Sequence, residues 1–251
     1  MAIRLRQLAL ATDALDAVTT QICTVFGVDH AYHDPGVGKY GLNNSVIPLG
    51  ETLLEAVCPR EPDTAASRFL ARRGGDGGYM VILQVDDVDA ARSRIERVGA
   101  RIVDKADLPR ATFTHIHPKD VGGAILSVDT MTPPEHWEWG GPDWPSRARG
   151  ESEPTGIVRA EVAGADPARL AARWAEVIGA PVEENGDRWS MPLEGGTIDF
   201  VAAGDDPEGL PGFDIAARDP GRILAAAQQI GLPPAPGGFM LGGMTVRPVS
   251  G

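Results

Sequence analysis

The feature that most constrains this chain is a unit that occurs four times. Residues 5–27, "LRQLALATDALDAVTTQICTVFG", read as strand, turn with an Asp, amphipathic helix and glycine. Residues 79–99, "YMVILQVDDVDAARSRIERVG", repeat that order, as do "GIVRAEVAGADPARLAARWAEVIG" (156–179) and "GFDIAARDPGRILAAAQQIG" (212–231). Asp13, Asp87, Asp166 and Asp219 are each placed to cap a helix N-terminus. Gly27, Gly99, Gly179 and Gly231 stand where a left-handed C-cap is expected, 14, 12, 13 and 12 residues later. After each glycine come strand-like runs joined by turns, ending in "GETLLEAV", "GGAILSVD", "GGTIDFVA" and "GGMTVRPV". The unit is therefore β-α-β-β-β, with the fourth copy shortened. One unit cannot cover its own sheet, so the first is expected to pair with the second and the third with the fourth.

The stretch 131–154, "MTPPEHWEWGGPDWPSRARGESEP", is rich in Pro, Gly and charge and reads as a linker. The expected organisation is a first module pair over 1–130, this linker, and a degenerate second pair over 155–251. Trp137, Trp139 and Trp144 are too apolar for a free linker and are expected in the groove between the halves, with a lid on the cup as the alternative. A formal charge of −12 offers no basic footprint for nucleic acid or an anionic membrane. No run is long and apolar enough to span a bilayer. The start, "MAIRLRQLAL", does not read as a signal peptide, and Cys23 and Cys58 lack metal or redox spacing. The expectation is a cytoplasmic protein with two reduced thiols.

The tandem unit, with "VILQVDDVDAARSRIERVGARIV" and "HPKDVGGAILSVD", resembles the vicinal oxygen chelate superfamily. That group includes glyoxalase I, methylmalonyl-CoA epimerase, extradiol dioxygenases and bleomycin-resistance proteins. The resemblance covers 3–130 and extends over 156–251, and "HPKDVGG" is similar to its glyoxalase and epimerase members. It implies an α+β fold of tandem βαβββ modules forming cupped mixed sheets, with two module pairs in one chain. It also implies one metal per cup, held from the first and last strand of each module.

Carried onto this sequence, those ligand positions are Gln7, Glu55, Met80 and Ser127. Gln7 and Glu55 suit a hard divalent ion; Met80 and Ser127 do not. The implied metal site is degenerate, which admits a divalent metal without favouring one. In the second pair the positions read Arg159, Phe200, Gly212 or Phe213, and Arg247, which would hold no metal and would block the space.

Glu55 has the strongest claim to chemistry, because a carboxylate among apolar neighbours needs a partner, a metal or a raised pKa. Strand alternation puts Gln84 and Asp129 on the same side as Met80 and Ser127, as substrate-binding candidates with Gln7. His115 and His117, in "THIHPKDVGG", miss the ligand positions. They are structural groups beside a Pro turn, or one faces the cup to bind or protonate substrate, or one joins Gln7 and Glu55 on a metal. His30 and His33 read as exposed edge groups.

Two function classes follow. One is a lyase, isomerase or epimerase acting through enolate chemistry on a small molecule in the N-terminal cup, with Glu55, His115 and His117 as catalytic candidates. The other is a metal-free binding or sequestering protein of the bleomycin-resistance type. The partner in either case is a small-molecule ligand, and the chain is a monomer or homodimer.

Overall fold

The computed structural model describes residues 2–29, 31–144 and 153–251. His30 and the end of the linker, 145–152, lie outside the described residues. Four copies of one mixed α/β unit account for fifteen strands.

Copy 1 comprises β1 (Ile3–Ala11), α1 (Leu15–Phe26), β2 (Leu42–Leu49) and β3 (Thr52–Pro59), followed by the connecting helix α2 (Ala65–Arg73). Copy 2 comprises β4 (Gly77–Val85), α3 (Val88–Arg97), β5 (Ile102–Asp107), β6 (Ala111–Ile116), the helical turn α4 (Pro118–Val121) and β7 (Ile125–Met131). Copy 3 comprises β8 (Pro154–Gly164), α5 (Pro167–Ile178), β9 (Glu183–Asn185), β10 (Arg188–Leu193) and β11 (Gly196–Ala202). Copy 4 comprises β12 (Gly209–Ala217), α6 (Pro220–Gln229), β13 (Pro234–Ala235), β14 (Gly238–Leu241) and β15 (Met244–Ser250).

Each copy closes in the same way. Its last strand lies parallel to its first (β3 to β1, β7 to β4, β11 to β8, β15 to β12), and the intervening strands run antiparallel. A parallel pair needs a crossover, and the helix supplies part of it. Copy 4 keeps all three later strands, though β13 has only two residues. Copy 1 is the reduced one: its missing strand is a single bridge between Tyr32 and Val46. The cause is local, since Pro35 opens a 3-10 turn over Pro35–Tyr40 whose Asp34 cap accepts from Gly36 N.

Three of the four aspartates cap as expected, Asp87 accepting from Ala90 N, Asp166 from Arg169 N and Asp219 from Gly221 N and Arg222 N. Asp13 does not. The N-cap of α1 is Ala14, without a side-chain bond, and Thr12 Oγ1 accepts from Ala14 N instead. All four repeat glycines take positive φ, between 64° and 79°. At Gly27, Gly99 and Gly231 an added Cβ would meet nothing within 4 Å, so the backbone conformation alone selects glycine there.

The chain forms two compact units that group the copies out of chain order. Residues 1–6, 79–136 and 158–210 make one, with copies 2 and 3; residues 7–78, 137–157 and 211–251 make the other, with copies 1 and 4. Within the first, α3 meets α5, where Arg94 Nη1 donates to Ile178 O at 2.7 Å. Arg173 of α5 donates to Asp120 O (2.7 Å) and Val98 O (3.1 Å). Within the second, α1 packs on α6. These contacts are interhelical, and helix-to-helix burial between copies is not visible from the order of repeats.

Candidate functional site

The site grows from three neighbouring strands, β2–β3–β1. On it Gln7 stands opposite Leu53, Glu55 opposite both Ala9 and Val46, and Asn44 opposite Val57. Residues two apart on a strand share a face, so Gln7, Glu55 and Asn44 project from one face of three neighbouring strands. Glu55 is in the middle, with an amide diagonally on each side.

Both amides donate to the carboxylate: Gln7 Nε2 to Glu55 Oε2 at 2.9 Å, and Asn44 Nδ2 to Glu55 Oε1 at 2.6 Å. Their orientations are fixed by donor-only partners. Trp137 Nε1–H donates to Gln7 Oε1 at 2.8 Å, and the Asp34 backbone N–H donates to Asn44 Oδ1 at 2.9 Å. An indole or peptide N–H cannot accept, so each amide must turn its oxygen to that donor and its NH₂ to Glu55. His33 Nδ1 lies 2.6 Å from Asn44 O; since a carbonyl only accepts, this nitrogen carries the proton. His33 is exposed, as expected, and stands at the network's outer edge.

Gln7 is 1% exposed, Asn44 2%, Trp137 0% and Glu55 7%, so all four are buried. Burial pushes the Glu55 carboxyl upward; the Asn44 and Gln7 hydrogen bonds pull against it, and the Asp34 charge adds to the rise. Burial prevails, and the group titrates at about 7. Near neutral pH it exchanges protons with little driving force either way, the condition for a general base or acid.

The metal implied by the resemblance would have to be held by these donors. A cation shared by Gln7 and Glu55 needs the amide oxygen turned toward the carboxylate. Here that oxygen faces Trp137, and the NH₂ group occupies the place between the two residues. Both carboxylate oxygens already accept N–H groups. The donor set does not fit a divalent ion.

The other sequence candidates lie in the unit of copies 2 and 3. Met80, Ile82 and Gln84 stand opposite Ile125, Ser127 and Asp129, and the last two face His115 and Phe113 across β6. Met80, Gln84, His115, Ser127 and Asp129 therefore share one sheet face. Ser127 is 0% exposed and Asp129 1%, and the Ser127 hydroxyl donates to Asp129 Oδ1 at 2.5 Å. Gln84 Nε2 donates to Pro134 O at 2.5 Å, and the His115 ring sits 4.7 Å from that of Phe113.

His117 stands past the end of β6 and caps α4, its Nδ1 accepting from Lys119 N at 3.1 Å. Asp120 and Gly123 of the same stretch are tied into the fold. Asp120 takes two bonds from the Arg101 guanidinium, both at 2.8 Å, which hold its carboxyl well below the usual range. Gly123 has φ +74°, and a Cβ there would collide with Val162.

Residues 8–178, more than half of the chain, match the glyoxalase-like domain family. The chain belongs to that family. Among relatives of this glyoxalase-like protein is the ethylmalonyl-CoA/methylmalonyl-CoA epimerase of Cereibacter sphaeroides. It is 26% identical over 135 residues, 51% of this chain and 98% of that one. The human mitochondrial methylmalonyl-CoA epimerase is 22% identical over 50% of this chain and 73% of its own. Two solved structures share the fold along nearly the whole chain. A mutant of 4-hydroxymandelate synthase from Streptomyces coelicolor aligns with TM-score 0.66 and 17% identity, over 94% of this chain and 78% of that one. A hypothetical protein from Staphylococcus aureus aligns with TM-score 0.66 and 14% identity, over 99% and 100%.

In this glyoxalase-like chain the third copy corrects a sequence expectation. Phe200 does not fill a cup: its ring packs edge-on against Trp174 of α5, centroids 5.5 Å apart, on the helix side of β11. Adjacent strand residues point to opposite faces, so Asp199 takes the place assigned to Phe200. Asp199 stands opposite Glu161 and Ser190, as Glu55 stands opposite Ala9 and Val46. Ser190 Oγ donates to it at 2.7 Å, and Arg188 and Arg159 approach at 3.1 and 3.4 Å. By register Arg159 and Arg188 are the counterparts of Gln7 and Asn44. Guanidinium groups replace the amides, so the third copy holds its acid in ion pairs. In the fourth, Arg247 is paired with Asp214 at 3.3 Å.

Sequence reasoning missed Asn44 and Trp137. Asn44 carries a weak signal, since an amide at an apolar strand's inward position needs a partner. Trp137 lies outside the repeat, and nothing local ties it to Gln7.

Proposed function

We propose that this glyoxalase-like protein is an enzyme of the isomerase, epimerase or lyase kind in which Glu55 moves a proton without a metal. The observation that carries this reading is the state of Glu55: a buried carboxylate between two oriented amides, titrating at about 7. The matching fraction of the epimerase relatives supports the same chemistry. In this reading the substrate is a small carbon acid with a hydrogen beside a carbonyl. Glu55 takes that proton, the C–H electron pair moves into the carbonyl to give an enolate, and the proton returns to carbon from the acid or from water. Gln7 and Asn44 hold the carboxylate in place. Met80, Gln84, Ser127, Asp129, His115 and His117 stay as substrate-binding or catalytic candidates of the unit of copies 2 and 3. A cytoplasmic location is part of the same proposal. No described helix is long and apolar enough to cross a membrane.

The test is deuterium wash-in. Acyl-CoA esters of 2-alkylmalonates, the class named for the epimerase relatives, are incubated with protein in D₂O and the α-proton signal is followed by NMR. Exchange should proceed in the presence of a chelator and fall by about 10²–10⁴-fold in Glu55→Gln, the span of general-base catalysis. Unchanged exchange in the variant, or exchange abolished by the chelator, defeats the proposal. A sequestering protein of the bleomycin-resistance type would bind without any exchange.

A further inference from the structure

Trp137 is fully buried, yet it comes from outside the β-α-β-β-β repeat. It stands at the start of a 3-10 turn, Glu138–Gly140, that packs on β2. Its indole is a donor without an acceptor lone pair. The 2.8 Å bond to Gln7 Oε1 therefore decides which end of the amide faces Glu55. Turned the other way, the amide would set its NH₂ against the indole N–H and its oxygen against a carboxylate, two repulsive contacts in a buried place. Turned as it is, both ends of the Gln7 amide are engaged.

We infer that Trp137 is a positioning residue for the Glu55 site: its N–H locks the Gln7 amide and turns two residues able to share a divalent ion into an amide–acid pair that excludes one. Asn44 completes the pair from the other side, its own amide locked by the Asp34 N–H. The inference concerns hydrogen-bond orientation and does not depend on the proton-transfer reaction proposed above.

The experiment reads the Gln7 side-chain amide in the ¹⁵N–¹H spectrum of the full chain. In the wild type the two Nε2 protons should be resolved, one shifted downfield by its carboxylate bond, and slow to exchange with solvent. A tenfold excess of Mn²⁺ should leave them unbroadened. Trp137→Phe keeps a ring but loses the donor; the downfield shift should collapse and amide exchange should speed by roughly tenfold or more, as expected when a locking bond opens. Wild-type signals broadened by Mn²⁺, or amide signals unchanged in Trp137→Phe, overturn the inference. Should Trp137→Phe fail to fold, Gln7→Ala tests the same bond from the other end. The Trp137 indole proton should move upfield and lose its exchange protection, and an unmoved indole signal counts against the lock.

Discussion

Glu55 is an acid whose folded-state titration lies above its ordinary value, so its effect on stability has a definite sign. Between about 4.5 and about 7 the folded protein keeps a proton that the unfolded chain has released. Raising the pH through that window therefore favours unfolding. The contribution is fully present below about 4.5 and is lost as the pH passes about 7. The shift corresponds to roughly 3 kcal/mol. In Glu55→Gln the side chain cannot ionise. The difference in unfolding free energy, wild type minus variant, should fall by about that amount from pH 4.5 to above 7 in urea titrations. A flat difference would show that Glu55 titrates normally, and a rising one that its folded-state value lies below the ordinary one. The amide introduced by Glu55→Gln would also set its NH₂ against one of the two donors, a cost that does not vary with pH and leaves the slope intact.

Among the elements, the helix starts separate what a repeat conserves from what one copy improvises. Asp166 accepts from Arg169 N at 3.0 Å, so Asp166→Ala should destabilise the protein by about 1 kcal/mol. Asp13 sits at the matching place in the repeat but caps nothing, and α1 starts without a side-chain cap bond; Thr12 accepts from Ala14 N and donates to Asp76 at 2.9 Å. Asp13→Ala should therefore stay within about 0.5 kcal/mol of wild type in the same denaturant assay. Equal losses for the two variants would mean that the side-chain bond at Asp166 adds nothing. The Asp-to-Gly spacing located all four helices, while the loss of the cap in copy 1 goes with a Thr12 hydroxyl bonded to Asp76, 64 residues away in sequence.

For the whole molecule, four copies already reside in one chain, and the interhelical packing of α1 on α6 and α3 on α5 is met within it. We expect a monomer of 26.5 kDa by light scattering, with a species of twice that mass as the contrary result. The chain halves 1–130 and 155–251 each contribute one copy to each compact unit.

The sequence alone determined the four units, their helix boundaries and the inward acid at Glu55, because these follow from local rules: period-2 alternation, a capping Asp, a left-handed glycine. The resemblance to the vicinal oxygen chelate superfamily also implied that Gln7 and Glu55 point to a common centre. The sequence could not decide what those two side chains do to each other. That depends on which end of an amide faces a carboxylate, and the answer comes from Trp137, 130 residues away, and from Asn44 on the neighbouring strand. The same holds for Phe200, whose neighbour Asp199 takes the inward place because a strand shifted by one residue exchanges its two faces. Strand register and hydrogen-bond polarity are set by contacts distant in sequence, so only the tertiary structure could fix them.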